Sequence, residues 1–226
     1  MGQVALIVIL LFIGVFVAFL IGLATVARNR AVRAERRMRD TLYAWTMANG
    51  WQMHEGDVGT SWRHRLSGLR RFGIRRLAFS TVHGLPVTVA DCHYATESTD
   101  GNGNAQTQWV DLAVFVARLP GGWPDIEVHS RRLGSRLMRA LGRQSPVEIG
   151  HAEFDRRFQV ATSDPRAAHV LLSPALVEAH LRDQAPPWSI RGGELMITER
   201  GRLTLEWIDP GIQRLVWLAR ALGYRG

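Results

Sequence analysis

Three adjacent residues, Asp91, Cys92 and His93, carry the side chains most suited to chemistry in this sequence. They lie in an alternating apolar segment that predicts a β-strand, so Asp91 and His93 share one face while Cys92 points to the other. A cysteine and histidine nucleophilic pair needs converging side chains, which neighbouring strand positions do not provide. We therefore expect Cys92 to be a small buried residue, and we treat the face of Asp91 and His93 as the candidate for a small-ligand or hydrolytic site.

A second set of metal-ligating side chains, His151, Glu153 and Asp155, recurs at every other residue. On a strand these three side chains would line one face, but Arg157 continues that face and would oppose a cation. The spacing of the histidines matches no zinc motif. The sequence therefore predicts a solvated strand face, with neither a metal nor another cofactor.

Composition excludes several further kinds of site. All 28 basic residues are arginines, since the sequence contains no lysine, and the net charge is +8. Without lysine there is no Schiff-base residue, no phosphate-loop lysine and no lysine general base. A single cysteine excludes an intramolecular disulfide and a four-cysteine zinc site. No common catalytic motif is present, so we expect a non-catalytic protein rather than an enzyme.

The N-terminal region has the pattern of a membrane anchor. As a helix, the apolar run from Val4 to Val26 is about 34 Å long, enough to cross a hydrocarbon core of about 30 Å. The alternative is a cleavable signal peptide, but the run is too long and no basic residue precedes it. We predict a transmembrane helix over residues 1–27 and a basic juxtamembrane helix over residues 28–50. Arginines after the helix are expected to hold its C-terminal end in the cytoplasm, and they are Arg28, Arg30, Arg33, Arg36, Arg37 and Arg39.

A second block of arginines lies between residues 62 and 77 and contains no acidic residue. Apolar residues between the arginines form a short stripe, a pattern typical of an element that docks on an anionic membrane surface. The candidate lipid contacts are Trp62, Arg63, Arg65, Leu66, Leu69, Arg70, Arg71, Arg75 and Arg76. The alternative is the basic surface of a solvated hairpin. Nucleic acid is not an expected partner, because about half of the net charge belongs to the first arginine cluster and no reader motif is present.

The rest of the chain, residues 51–226, predicts an α+β domain. Alternating apolar residues predict strands at 77–83, 87–95, 106–118, 125–129, 154–161, 195–198 and 203–208. Short turns join several of these strands, so we expect a mixed, largely antiparallel sheet with packed helices. A joint between two subdomains is expected near residues 144–150.

Helices are predicted from cap residues and from helical spacing. Asp164 before Pro165 and Ser173 before Pro174 each place a capping side chain ahead of a proline at the first helical position. Apolar residues at helical spacing predict two further helices, at 133–141 and 210–222.

Several segments resemble a family of actinobacterial membrane-anchored proteins of unknown function. The residues that carry the resemblance are Gly84, Pro86, Val87, Asp91 and Tyr94 in the hairpin, LPGGWPDIEV at 119–128 and FDRRFQVATSDPRAAHVLLSP at 154–174. The similarity covers residues 77–207, and it departs from the family at Cys92, where members often have an aromatic residue. It implies one N-terminal span followed by a similar domain, and it implies no catalytic residue.

These patterns together predict a single-pass protein of the cell membrane with a cytoplasmic α+β domain. We expect that domain to bind a protein partner or the anionic membrane surface. The alternative from a different class is a small-ligand-binding or hydrolytic domain that uses Asp91 and His93.

Overall fold

The computed structural model describes the backbone of residues 2–99, 101, 103–131 and 146–225, and their side chains except at 2–13, 15, 17 and 31. The chain forms two compact units that divide between Trp45 and Thr46. The boundaries at residues 27 and 50 stay predictions, as does the joint near 144–150. Part of that joint and the whole predicted helix at 133–141 lie outside the described residues.

Helix α1, Gly2–Ala48, forms the first unit as far as Trp45, and its last residues belong to the second unit. Within the part of the chain that is described, no helix is long and apolar enough to cross a membrane, so the predicted transmembrane anchor is wrong. The side chains of the predicted anchor at 4–13, 15 and 17 lie outside the described residues. All six arginines assigned to membrane topology are exposed on α1.

The second unit is built on one antiparallel sheet. The predicted α+β class with a largely antiparallel sheet is therefore confirmed, whereas the transmembrane helix predicted with it is not. The strands are β1 Gln52–Glu55, β2 Arg70–Val82, β3 Leu85–Thr99, β4 Ala105–Arg118, β5 Ile126–Ser130, β6 Pro146–Val147, β7 Phe158–Thr162, β8 Trp188–Arg191 and β9 Glu194–Arg200. The described strands lie in the order β1-β2-β3-β4-β9-β8-β5-β7-β6, and each pairing among them is antiparallel. A 3₁₀ helix, Ser61–Leu66, joins β1 to β2.

Four helices of the second unit are described: α2 Ala152–Arg157, α3 Pro165–Leu171, α4 Pro174–Leu181 and α5 Leu205–Ala221. The two predicted proline starts are present. The carboxylate of Asp164 accepts from the backbone N–H groups of Arg166 and Ala167 at 3.0 and 3.1 Å, and Ser173 Oγ accepts from Leu176 N–H at 3.4 Å. These side chains accept hydrogen bonds from backbone N–H groups that have no partner within the first turn of the helix.

The middle parts of β2, β3 and β4 are buried on both faces of the sheet. On the Cys92 face, defined by Ala90, Cys92 and Leu112, the 3₁₀ segment covers the sheet with Trp62 and Leu66. The opposite side, the Asp91 face, is covered in part by α5. A Cβ atom at Gly211 of α5 would lie 2.2 Å from the Phe115 ring, so the absence of a side chain allows the helix to approach the sheet.

Two predicted strands are partly helical in the structure, and only the second half of the first, from Phe158, is a strand. The alternation at 154–161 predicted a strand, but α2 occupies its first half because His151 Nδ1 caps Phe154 N–H at 3.3 Å. Asp155 stabilises the same turn by accepting from the N–H groups of Ile149 and Gly150, each at 3.1 Å. The strand predicted at 203–208 is the start of α5, since Leu205, Ile208 and later apolar residues also fit helical spacing.

Candidate functional site

Asp91 lies at the centre of a buried charge cluster on β2, β3 and β4. It pairs with Arg76 across the β2–β3 ladder, and β2 contains a bulge between Ile74 and Arg76. The bulge brings a second guanidinium to the same carboxylate, because Arg75 Nη1 lies 3.3 Å from Asp91 Oδ1 while Arg76 Nη1 lies 3.5 Å from Oδ2. Arg75 also reaches the next strand, where its Nη2 lies 2.6 Å from Asp111 Oδ1. We call Arg75, Arg76, Asp91 and Asp111 the Asp91 cluster.

Burial and charge act in opposite directions on the Asp91 cluster. Burial raises the pKa of Asp91, while the guanidinium groups of Arg75 and Arg76 act to lower it. Burial likewise lowers the pKa of Arg76, and Asp91 acts to raise it. Asp91 is completely buried and both of its oxygens face arginines. A carboxylate held in this way ties three strands together and is poorly placed to exchange a proton with a substrate.

His93 shares the face of Asp91, as the alternation predicts, and it is partly buried. Its ring stacks at a tilt against Trp109 with centroids 5.3 Å apart, and a Cβ atom at Gly73 would lie 2.7 Å from its Cε1. Burial lowers the pKa of His93, and Arg75 lowers it further, so the neutral ring is favoured. Cys92 packs in the core on the opposite face, where burial raises the pKa of its thiol and makes a thiolate nucleophile unfavourable.

The residues predicted to contact lipid separate into buried and exposed groups. The apolar stripe of Trp62, Leu66 and Leu69 belongs to the hydrophobic core on the Cys92 face. Among the arginines, Arg65 and Arg76 are buried, Arg75 is partly buried, and Arg63, Arg70 and Arg71 are exposed. Arg63 pairs with Asp57 at 2.8 Å, and Arg70 pairs with Glu97. The structure therefore does not present these residues as one amphipathic surface.

Arg65 forms a polar connection that the sequence does not predict. It extends from the 3₁₀ helix to the β8–β9 hairpin, where it donates to the carbonyl oxygens of Glu194 and Ser189 at 3.0 and 3.1 Å and to Ser189 Oγ. Burial lowers the pKa of Arg65 to about 10, and Glu127 is the main group that opposes this shift. Arginine is seldom fully buried without partners, so composition alone places this residue on the surface.

Two more buried polar residues, Glu127 and His129, lie on β5 near the Arg65 connection. His129 Nε2 lies 3.2 Å from Glu127 Oε2, and Arg191 donates to Glu127 Oε1 at 2.8 Å. The sequence signal was the alternation of Glu127 and His129 with the apolar residues Ile126 and Val128, which places both polar residues on one strand face. Nothing local in the sequence distinguishes a buried polar face from a solvated one.

The distal part of the β3–β4 hairpin projects beyond its neighbouring strands, and we call it the β3–β4 arm. The pairing of β4 with β9 ends at Leu112, while its pairing with β3 continues to Ala105. Residues 105–109 are all exposed, and Trp109 retains 53% of its accessible surface. The arm therefore carries a strand edge that no other described strand covers.

The direction of the backbone groups on this edge follows from one hydrogen bond. Gly201 N–H donates to Asp111 C=O at 3.0 Å, so the backbone groups of Asp111 face the β9 side. Backbone groups alternate in direction along an antiparallel strand, and those of Trp109, Thr107 and Ala105 therefore face the same open side. Thr96 Oγ1 donates to the C=O of Gln108 at 3.2 Å, which agrees with Gln108 facing β3. The β3–β4 arm thus offers three N–H and three C=O groups to a partner strand.

Comparison with known proteins gives a structural neighbour and no family. No protein-family model matches the sequence, and no curated protein matches it. The fold is similar to that in the crystal structure of the mycobacterial trehalose monomycolate transport factor A, TtfA, with a TM-score of 0.57 and 13% sequence identity. The match covers 84% of this chain and 97% of that chain. At this identity the similarity concerns the fold, and it agrees with the actinobacterial resemblance of the sequence.

Proposed function

We propose that residues 46–226 form a non-catalytic binding domain, and that its partner is a protein that adds an extended segment to the β3–β4 arm. The free edge of β4 carries this proposal, because the backbone groups of Ala105, Thr107 and Trp109 face solvent on that side. Natural proteins usually cover or interrupt such an edge unless it serves for strand addition. The exposed indole of Trp109 would give the partner segment an apolar anchor beside the edge.

The geometry supports binding in preference to hydrolysis at the Asp91 face. A hydrolytic site needs a general base that can reach substrate, and Asp91 is buried between two guanidinium groups. The thiol of Cys92 points to the opposite face and has a raised pKa. The hydrogen-bonding capacity of this cluster is used to connect strands.

An anionic membrane surface is the second candidate partner, favoured by the exposed arginines Arg63, Arg70 and Arg71. Burial of the apolar stripe that would enter the lipid favours a protein partner over lipid. A location at the cytoplasmic face of the cell membrane belongs to the same proposal, because the exposed arginines of α1 would attract anionic lipid. TtfA is described as a transport factor, and a role as an accessory protein in transport would suit a partner-binding domain.

Site-specific photo-crosslinking in the native host tests the partner proposal. A photoreactive residue at Gln108 on the β3–β4 arm should give discrete crosslinked products with one protein, whereas the same residue at Arg220, exposed on α5, should not. Identical crosslinked products from both positions, or no crosslinked product from Gln108, would contradict strand addition at the β3–β4 arm.

The substitution Thr107→Pro sharpens this test. Proline removes the N–H that faces the open edge, but it leaves the ladder with β3 intact because proline is tolerated where the N–H faces away from the sheet. We expect Thr107→Pro to abolish the crosslink from Gln108 and Thr107→Ala to retain it. Equal melting temperatures of the two variants would show that the fold is unchanged, and a crosslink that persists in Thr107→Pro would rule out backbone pairing.

A further inference from the structure

A cleft of about 840 Å³ opens beside α2, at the end of β5 and along the segment that leads from α4 to β8. One side of the cleft is basic and contains Arg131, Arg156 and Arg157. The other side is apolar and contains Ala185, Pro186 and Pro187. Its volume lies in the range of pockets that bind small organic molecules.

The basic side of the cleft is held in place by backbone contacts. Arg131 Nε donates to the carbonyl oxygens of Asp155 and Phe158 at 2.9 and 3.1 Å, and no described residue accepts a hydrogen bond from its two Nη groups, which can bind a ligand. Arg157 is fixed from the other direction, because its Nη1 donates to Leu181 C=O at 2.6 Å. A guanidinium fixed before binding loses little conformational freedom when an oxyanion arrives.

The charge of the cleft suits a dianion. Among the described residues, three arginines line it against one acid, Asp183, which pairs with Arg157 at 2.8 Å. Arg156 Nη2 lies 4.0 Å from Glu153 Oε1, and the Arg156 side chain is largely exposed to solvent. A phosphate monoester carries a charge of about −1.5 to −2 at neutral pH, and planar guanidinium groups bind its oxygens in bidentate fashion.

The apolar side restricts the rest of the ligand. Pro186 and Pro187 have no N–H to donate, and Ala185 has no polar side chain. A ligand body that rests there gains from apolar contact and not from hydrogen bonds. We propose that this cleft binds an organic phosphate monoester, with the phosphate on Arg131 and Arg156 and an apolar, ring-sized body against the prolines. This site is independent of the β3–β4 arm.

Calorimetric titration of the full chain with phenyl phosphate tests the proposal, with phenol and inorganic phosphate as partial ligands. We expect phenyl phosphate to bind more tightly than either. The variant Arg131→Gln should weaken binding about tenfold or more, and Arg156→Gln should weaken it by a smaller factor, because the backbone fixes Arg131 whereas Arg156 is largely exposed.

The matched control is Arg182→Gln, which removes an exposed arginine of the same region that pairs with Glu178 at 2.8 Å and does not line the cleft. Its affinity for phenyl phosphate should equal that of the unchanged protein. Melting temperatures of all three variants identify any loss of fold, and Arg156→Gln keeps the test decisive if Arg131→Gln unfolds. Equal weakening by Arg182→Gln and Arg156→Gln, or no binding of phenyl phosphate, would overturn the site.

A second experiment distinguishes a soluble phosphate from a lipid headgroup. Phosphatidylcholine vesicles with and without phosphatidic acid are sedimented with the protein, and phenyl phosphate is added as competitor. If the protein binds vesicles with phosphatidic acid, and both phenyl phosphate and Arg156→Gln reduce this binding, the ligand of the cleft is a lipid headgroup. Binding of phenyl phosphate alone supports the cleft with a soluble ligand. The cleft is ruled out as the binding site if neither phenyl phosphate nor Arg156→Gln changes vesicle binding and phenyl phosphate does not bind in solution.

Discussion

The two ends of the sheet bury ionisable groups in opposite ways. On β2, β3 and β4, Asp91 is completely buried and two guanidinium groups face its carboxylate. At the other end, His180 of α4 is also completely buried, but it lies against Phe154 and Phe158, and its Nε2 accepts a hydrogen bond from Trp188 Nε1 at 3.0 Å. The surroundings of Asp91 balance a buried charge with opposite charges, whereas the surroundings of His180 are apolar and exclude charge.

This difference determines how each region responds to mutation and to pH. The Asp91 cluster needs both signs of charge, so removal of one charge leaves the buried charges of the cluster unbalanced. His180 needs to stay neutral, and burial lowers its pKa from 6.5 to about 4. We therefore expect the first region to be sensitive to substitution and the second to acid.

The substitution Asp91→Asn should have the largest effect on stability. Asparagine keeps the volume of the side chain but leaves the buried guanidinium of Arg76 without its carboxylate, at a cost of about 3–5 kcal/mol. The free energy of unfolding measured by urea denaturation checks this value. The control is Asp111→Asn, because Asp111 is more exposed and should lose about 1 kcal/mol or less. Equal losses for both variants would mean that burial of Asp91 does not matter.

Acid should destabilise the region of His180. The folded-state pKa is depressed, so the unfolded chain takes up the proton first, and stability present above pH 6.5 is lost as the pH falls towards about 4. The shift corresponds to about 3 kcal/mol. Urea denaturation at a series of pH values should show this loss in the unchanged protein, and His180→Gln should lack it because glutamine does not titrate.

The exposed His169 on α3 provides the matched control for His180. The variant His169→Gln should keep the pH dependence of the unchanged protein, because it leaves the buried His180 in place. If His180→Gln showed the same loss between pH 6.5 and 4 as His169→Gln, the loss would have to come from other groups. The comparison between the two ends of the sheet would then fail.

Local patterns predict the strands around Asp91 but not the contacts of its cluster. Alternation places Asp91 and Cys92 on opposite faces, and both faces are found as predicted. The bulge in β2 that turns Arg75 towards Asp91 depends on pairing between strands, and no local residue type marks it. Arg65 and Ser189 lie 124 residues apart, so only the folded chain shows that they meet. The free edge of β4 likewise depends on where β9 ends.

Arg65 offers an intermediate case between the two ends, because it is a buried charge held mainly by neutral groups. The substitution Arg65→Met fills similar volume but leaves the carbonyl oxygens of Glu194 and Ser189 without their donor. Relief of the buried charge offsets part of that loss, so we expect about 2 kcal/mol, less than for Asp91→Asn. Urea denaturation of Arg65→Met and Asp91→Asn in the same buffer measures which variant loses more free energy of unfolding. A larger loss for Arg65→Met would show that neutral acceptors hold a buried charge as firmly as an ion pair does.

The pair of Arg70 and Glu97 at the base of the β3–β4 arm should give the smallest effect. Both side chains are largely solvated, with 60% and 43% of their surface exposed, so water screens their attraction. A double-mutant cycle with Arg70→Gln and Glu97→Gln should therefore return a coupling energy below about 1 kcal/mol, and added salt should reduce it further. The Arg76 and Asp91 pair joins the same two chemical groups, a guanidinium and a carboxylate, inside the sheet. A coupling at Arg70 and Glu97 as large as the loss in Asp91→Asn would show that pairing geometry, and not burial, sets the strength of these interactions.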